Sequence, residues 1–162
     1  MRSILRKLLG REQGPPKMLE PGTAAPEFSV KAHDGTTVAL SALRGKKIVL
    51  WFFPKADTPG CTIEGNSFRD RYDQFTARGA RILGCSFDDA ADNKAFAEKF
   101  GYPFPLLCDT TRTVGLAYGA CDSASARNAR RITYVIDEHG RIAHALPKVD
   151  PTTHIAQVLS LL

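Results

Sequence analysis

The residues best suited to do chemistry lie in one stretch, WFFPKADTPGCTIEG, running from Trp51 to Gly65. Thr58-Pro59 reads as a helix start, with threonine as N-cap and proline at the first helical position. Cys61 then falls in the first turn, where free backbone N–H groups and the positive end of the helix dipole favour an anion. A thiol at such an exposed helix N-terminus ionises readily, and the thiolate is both a nucleophile and a redox group. Most unpaired cysteines are small buried hydrophobes. The preceding loop, the helix start and the lack of an apolar neighbour within two residues on the N-terminal side set Cys61 apart.

The other cysteines and the histidines do not join it. Four cysteines occur without a CxxC pair or a Cys/His cluster, which does not make a zinc site. They are also too sparse for a disulfide scaffold, and a reducing, cytoplasmic setting is expected. His33, His139, His144 and His154 are scattered along the chain and read as surface or capping residues.

The elements that must position Cys61 follow from the pattern around it. Ile48 to Phe53 is an unbroken apolar run, a strand covered on both faces, and Pro54 ends it. The helix carrying Cys61 is expected to run through Phe68, Tyr72 and Phe75 to about Ala77, stopped by Gly79. Upstream, Glu27–Lys31 and Thr36–Leu40 form a hairpin around His33-Asp34-Gly35, followed by a helical turn from Ser41 to Arg44 closed by Gly45. Downstream come a buried strand over Arg81–Phe87 and a helix that starts in the acidic Asp88–Asp92 run and ends at Gly101. Then follow a short strand at Phe104–Leu107, a short helix at Thr113–Tyr118, paired strands at Ile132–Ile136 and Arg141–Leu146, and a closing helix from Thr152 to Leu162. Strands alternating with helices, then a hairpin and a last helix, predict an α/β domain with a mixed sheet.

A chain of 162 residues, 43% hydrophobic and 24% charged, suits one globular domain. The net charge of +5 lies largely in the first seventeen residues and in scattered arginines. With no basic run interleaved with aromatics, nucleic-acid binding is not indicated. No stretch is long enough to span a bilayer. The segment from Met1 to Lys17 reads as a flexible extension ending in the linker Gly14-Pro15-Pro16, and the domain as residues 18 to 162. Ile4, Leu5, Leu8 and Leu9 share one face of a short basic amphipathic pattern, but a helix that short is marginal alone, and charged Arg6 and Lys7 break any signal-peptide core.

The pattern Pro54-x-x-x-Thr58-x-x-Cys61 resembles the active-site signature of peroxiredoxins. The fuller run FFPKADTPGCTIEG…FRD is similar to their bacterioferritin-comigratory, PrxQ-like branch. The similarity extends through Ala25-Pro26-Glu27-Phe28, Gly84–Asp88, Phe104–Asp109 and Arg131–Asp137, and leaves out only the N-terminal extension. It implies a thioredoxin-like fold: a central mixed β-sheet flanked by helices, with an N-terminal β-hairpin. It also implies a thiol-dependent peroxidase for hydrogen peroxide and organic hydroperoxides, working through a sulfenic acid without a cofactor or a metal.

Such chemistry asks for a thiolate and for donors along the O–O axis. On the resemblance Cys61 is the nucleophile, and the Thr58 hydroxyl touches the sulfur and the incoming oxygen. The N–H groups of Cys61 and Gly60 donate to that oxygen, while Pro54 and Pro59 shield the thiolate and fix the loop. Arg131 holds the sulfur ionised, and Glu64 tethers an arginine. Arg130, on the opposite side of the strand, reads as a surface charge.

The chain departs from its relatives at the second cysteine. Many carry a resolving cysteine five residues after the first, where this chain has Asn66; others carry it on the next helix, where Phe96 and Ala97 stand. Cys85 and Cys108 read as strand residues of the core. Cys121, in a polar stretch of small residues, is expected to be mobile and exposed and is the one candidate resolving cysteine. The implied partners are a peroxide and a thioredoxin-type, glutaredoxin-type or low-molecular-weight thiol reductant, with the chain a monomer or weak homodimer. A thiol–disulfide oxidoreductase would want a cysteine where Thr58 stands. A non-catalytic binding or chaperone-like module would not need the Pro/Thr/Cys/Arg set.

Overall fold

The computed structural model describes residues 14–162; the amphipathic pattern of Ile4 to Leu9 lies outside them. Ser29–Lys31 (β1) and Thr37–Ala39 (β2) pair antiparallel as the expected hairpin, followed by a 3₁₀ turn at Leu40–Leu43. Next come Lys47–Phe52 (β3), Pro59–Asp70 (α1), Tyr72–Ala77 (α2), Ala80–Ser86 (β4) and Ala90–Phe100 (α3). Leu106–Cys108 (β5), Thr113–Ala117 (α4), Ile132–Ile136 (β6), Ile142–Leu146 (β7) and His154–Ser160 (α5) complete the chain.

The main sheet has the order β5-β4-β3-β6-β7, parallel between β3, β4 and β5 and antiparallel where β6 joins β3 and β7 joins β6. β3 is the central strand, as its unbroken apolar run requires, and residues 48 to 52 are buried. Its side chains alternate between two cores. Val49, Trp51 and Phe53 pack with Phe68 of α1, Phe75 of α2, Phe96 of α3 and Ile155 of α5. Ile48, Leu50 and Phe52 face Phe28, Leu40, Val114 and Tyr118 beneath the hairpin and α4.

The single helix expected from Cys61 to Ala77 is two helices. Arg71 leaves helical geometry at φ −112° and ψ 15°, and its N–H closes onto the Ser67 carbonyl. A straight helix would carry Phe75 about 10 Å beyond Phe68; the break brings their rings to 5.5 Å under Trp51 and Phe104. α3 starts and ends as its sequence dictates, with the Asp89 carboxylate accepting from the Asp92 N–H at 2.9 Å and Gly101 closing it in the left-handed region.

The residues leading into the domain are pinned to it. The Gly14 carbonyl accepts from Nε and Nη2 of Arg130, which also donates to the Gly119 carbonyl and to Asp122. Arg130 is therefore a largely covered side chain, 9% exposed, and not the surface charge expected. Three carbonyl and carboxylate partners from elsewhere in the chain draw it inward, and a local pattern does not reveal them.

Candidate active site

The chain leaves β3 at Phe53 and turns through Pro54 to Thr58 before entering α1. That loop is tied down from outside. The Ala56 N–H donates to the Asp88 carboxylate at 2.9 Å, and Asp57 pairs with Lys99 of α3 at 3.0 Å. Asp57 sits at φ +57°, a conformation aspartate adopts more readily than most side chains. Thr58 is extended and Pro59 opens the helix, as read from sequence, but the Thr58 hydroxyl does not cap it. It donates instead to the Lys55 carbonyl at 2.7 Å, closing the loop on itself. With its proton so engaged, the hydroxyl oxygen keeps lone pairs for an incoming O–H group. Helix geometry leaves the Gly60 and Cys61 N–H groups without intrahelical acceptors.

Cys61 is fully buried and belongs to the core on the helix-covered side of the sheet, not to an exposed helix end. Arg131, just before β6, covers its sulfur, with Nη2 donating to Sγ at 3.4 Å. The other guanidinium arm, Nη1, donates to Oε1 of Glu64 at 2.8 Å. Glu64 lies one helical turn after Cys61, so one planar fork reaches both groups on the same face of α1. A Cβ at Gly60 would stand 2.9 Å from Arg131 Nη2. The glycine thus makes room for the arginine, a contact that the sequence reading did not foresee. Burial disfavours the Arg131 charge, but the Cys61 sulfur and Glu64 outweigh it and raise its pKa above the ordinary value.

Glu64 is itself completely enclosed. Burial pushes its carboxyl up to about 7 even though Arg131 pulls the other way. Its second oxygen, Oε2, has no hydrogen-bond partner and faces Nε2 of His154 at 3.8 Å. That nitrogen lies 2.8 Å from the Thr133 hydroxyl. Burial brings the His154 imidazole down to about 4, so it is neutral at pH 7 and its approach to Glu64 is not an ion pair.

The surface or capping role expected for His154 is therefore corrected. It is 1% exposed behind the arginine, on the buried side of α5 with Ile155, Val158 and Leu159. The signal was present: its spacing from those residues is that of an apolar helix face. Thr133 gave no such signal, since it is one residue within a buried strand. His33 is also engaged, its Nδ1 accepting from the Leu106 N–H at 3.0 Å.

The remaining cysteines lie apart from Cys61. Cys85 and Cys121 pack in the core on the other face of the sheet, and Cys108 ends β5 beside Asn93. Cys121 is 3% exposed, which corrects the expectation of an exposed residue. Its loop composition is polar, but the side chain packs inward against α4, where a Cβ at Gly115 would lie 3.3 Å from its sulfur. Asn66, five residues after Cys61, accepts from the Tyr102 hydroxyl at 3.0 Å. Among the described residues, no three His, Cys, Asp or Glu groups converge as a metal site requires, and no helix is long and apolar enough to cross a membrane.

The AhpC/TSA family matches residues 21–145 of the chain. The chloroplastic peroxiredoxin Q of Triticum aestivum is 39% identical over 142 residues, which are 87% of this chain and 65% of that protein. The chain thus spans about two-thirds of that relative's length. A protein of Coxiella burnetii named putative peroxiredoxin bcp is 38% identical over 149 residues, 89% of this chain and 99% of its own length. Among solved structures, the peroxidoxin BcpB of Mycobacterium tuberculosis superposes with a TM-score of 0.82 at 29% identity, covering 88% of this chain and 96% of that one. The architecture is that of the thioredoxin-fold peroxiredoxins, a central mixed sheet with helices and an N-terminal hairpin.

Proposed function

Because the chain belongs to the AhpC/TSA family, in its peroxiredoxin Q/bcp branch, we propose that it is a thiol-dependent peroxidase whose peroxidatic residue is Cys61. The observation that carries this reading is the Arg131 fork, with one arm on the Cys61 sulfur and the other on Glu64. A guanidinium is permanently charged and presents its donors in a fixed plane. It can therefore bond a thiolate and the charge that develops beside it without reorganising.

In the reaction, the Cys61 thiolate attacks one oxygen of hydrogen peroxide or an organic hydroperoxide. An S–O bond forms as the O–O bond breaks, and the electron pair leaves with the far oxygen, which takes a proton to become water or an alcohol. Thr58 accepts from the peroxide O–H, while the Gly60 and Cys61 N–H groups and Arg131 donate to its oxygens. Pro54 and Pro59 keep the loop in place. Cys61 is left as a sulfenic acid. An external thiol then attacks that sulfur, releasing water and leaving a mixed disulfide, which a second thiol reduces. The reductant is a thioredoxin-type, glutaredoxin-type or small thiol, and Cys121 is the one internal alternative. The functional unit is the domain from residue 18 to 162, as a monomer or weak homodimer in the cytoplasm. The bcp relative is bacterial, although the wheat relative is chloroplastic.

The test is stoichiometric peroxide consumption by reduced protein. Wild type should consume peroxide, Cys61→Ser should not, and Arg131→Met should be slower by about 100-fold, as expected when a charge stabiliser is removed from a water-poor site. Full activity in Arg131→Met, with the fold intact, would show that the arginine was assigned wrongly.

A further inference from the structure

Behind the guanidinium lies a second polar layer with no surface exposure to speak of. Glu64 of α1, Thr133 of β6 and His154 of α5 are each buried. Thr133 pairs with Trp51 of the central strand, which aims its hydroxyl at the helix-covered core. Buried polar groups are costly unless partnered, yet here one carboxylate oxygen, Glu64 Oε2, has no hydrogen bond and looks onto the His154 ring at 3.8 Å. The Nε2 atom that faces it is anchored at 2.8 Å to Thr133. Three elements thus converge on the one residue that grips Arg131 from behind.

We propose that His154 is a positioning residue for peroxide reduction: anchored on Thr133 and set against Glu64, it fixes the carboxylate that aims Arg131 at Cys61. The inference rests on the reading of Cys61 as the peroxidatic cysteine. The charged and titratable groups against Glu64 are Arg131 from the segment before β6 and His154 from α5, with Cys61 on its own helix reached through the same guanidinium. Of these, only Arg131 carries a permanent positive charge. His154 is neutral, so it meets Oε2 as a dipole, its Nε2 held at 2.8 Å by the proton it shares with the Thr133 hydroxyl. Because burial brings the Glu64 carboxyl up to about 7, it sits at the edge of ionisation in the working range. What faces Oε2 then decides at which pH the carboxylate forms and closes on Arg131. Without that dipole the pH at which the carboxylate forms moves, and the guanidinium loses its fixed aim.

The experiment measures, in the full-length protein from pH 5.5 to 9, the second-order rate constant for hydrogen peroxide and the rate of Cys61 alkylation by iodoacetamide. The variants are His154→Leu, His154→Gln and Thr133→Val, with Cys61→Ser as blank. His154→Leu should react about tenfold more slowly with peroxide at pH 7, on the scale that small misplacements of a reacting group cost. Its limb near pH 7 should move, and in the same direction in both assays. His154→Gln keeps an N–H near the same place and should restore the rate to within about threefold and the limb to its wild-type position. Thr133→Val should shift the limb in the same direction as His154→Leu. Wild-type rates and profiles in the His154 variants would overturn the proposal. So would equal slowing by leucine and glutamine with unmoved profiles, since that is lost packing alone. Should His154→Leu fail to fold, an unshifted alkylation profile in Thr133→Val is the overturning result. A wild type that is alkylated normally but consumes no peroxide would instead sink the peroxidase reading, while the alkylation profiles still judge His154.

Discussion

At the scale of single residues, the site is organised around one charge shared by two acceptors. Arg131 bonds Cys61 and Glu64 together, and the groups behind it leave a signature in stability as well as in rate. The Glu64 carboxyl is raised from 4.5 to about 7 by burial. Between those values the folded chain holds a proton that the unfolded chain has released, so stability falls as pH rises through that window. The His154 imidazole is lowered from 6.5 to about 4, again by burial. Between those values the unfolded chain holds the extra proton, so stability rises with pH. The two limbs oppose one another across most of the same range, each worth at most on the order of 3 kcal/mol. Glu64→Gln should therefore unmask a melting temperature that climbs from pH 4 to 6.5, and His154→Gln one that declines from pH 4.5 to 7. Differential scanning calorimetry across that range reads both slopes, and two flat profiles would contradict the burial described. Cys61, Arg131 and Glu64, which the structure brings together, were picked out by their places in the motifs that carry the family resemblance. His154 and Thr133 were not, because what makes them part of the site is a contact between distant elements.

At the scale of elements, α1 carries Cys61 and is held by what packs across its glycines. Gly65, one turn along from Cys61, lies under Tyr102, whose hydroxyl bonds Asn66 and whose ring stacks on Phe104 at 5.1 Å. A Cβ at Gly65 would meet the Tyr102 hydroxyl oxygen at 2.3 Å and Cζ at 2.6 Å. Alanine would add about 1 kcal/mol of helix propensity, but overpacking of about 1–3 kcal/mol and a displaced, partly buried hydrogen bond outweigh it. Gly65→Ala should thus destabilise by about 1–3 kcal/mol in urea unfolding, and less in a Tyr102→Phe background, where the hydroxyl clash and its hydrogen bond are gone and only the ring edge must shift. Additive effects would mean that the helix accommodates the methyl by another route. The strands and the order of the helices were readable because apolar periodicity and the Gly and Pro punctuation agree along the chain. The break at Arg71 was not, since a continuous helical pattern runs through it and only the packing of Phe68 against Phe75 calls for the bend.

At the scale of the whole molecule, the sheet divides the cysteines. Cys61 lies in the core beneath the helices, whereas Cys85 and Cys121 lie in the core on the opposite face. A disulfide needs Cα atoms within roughly 7 Å, so an internal partner would have to leave its core before meeting Cys61. Burial also raises the thiols of Cys85, Cys108 and Cys121 above their ordinary value, and a protonated thiol is a poor attacker. This arrangement supports the proposed cycle, in which Cys61 is oxidised and an external thiol completes the turnover. The most direct test is intact-mass analysis with peptide mapping after one equivalent of hydrogen peroxide. The predicted result is a single added oxygen on Cys61, replaced by a mixed-disulfide adduct when glutathione is present. An unoxidised Cys61, or a loss of two hydrogens mapped to a Cys61–Cys121 bond, would contradict it.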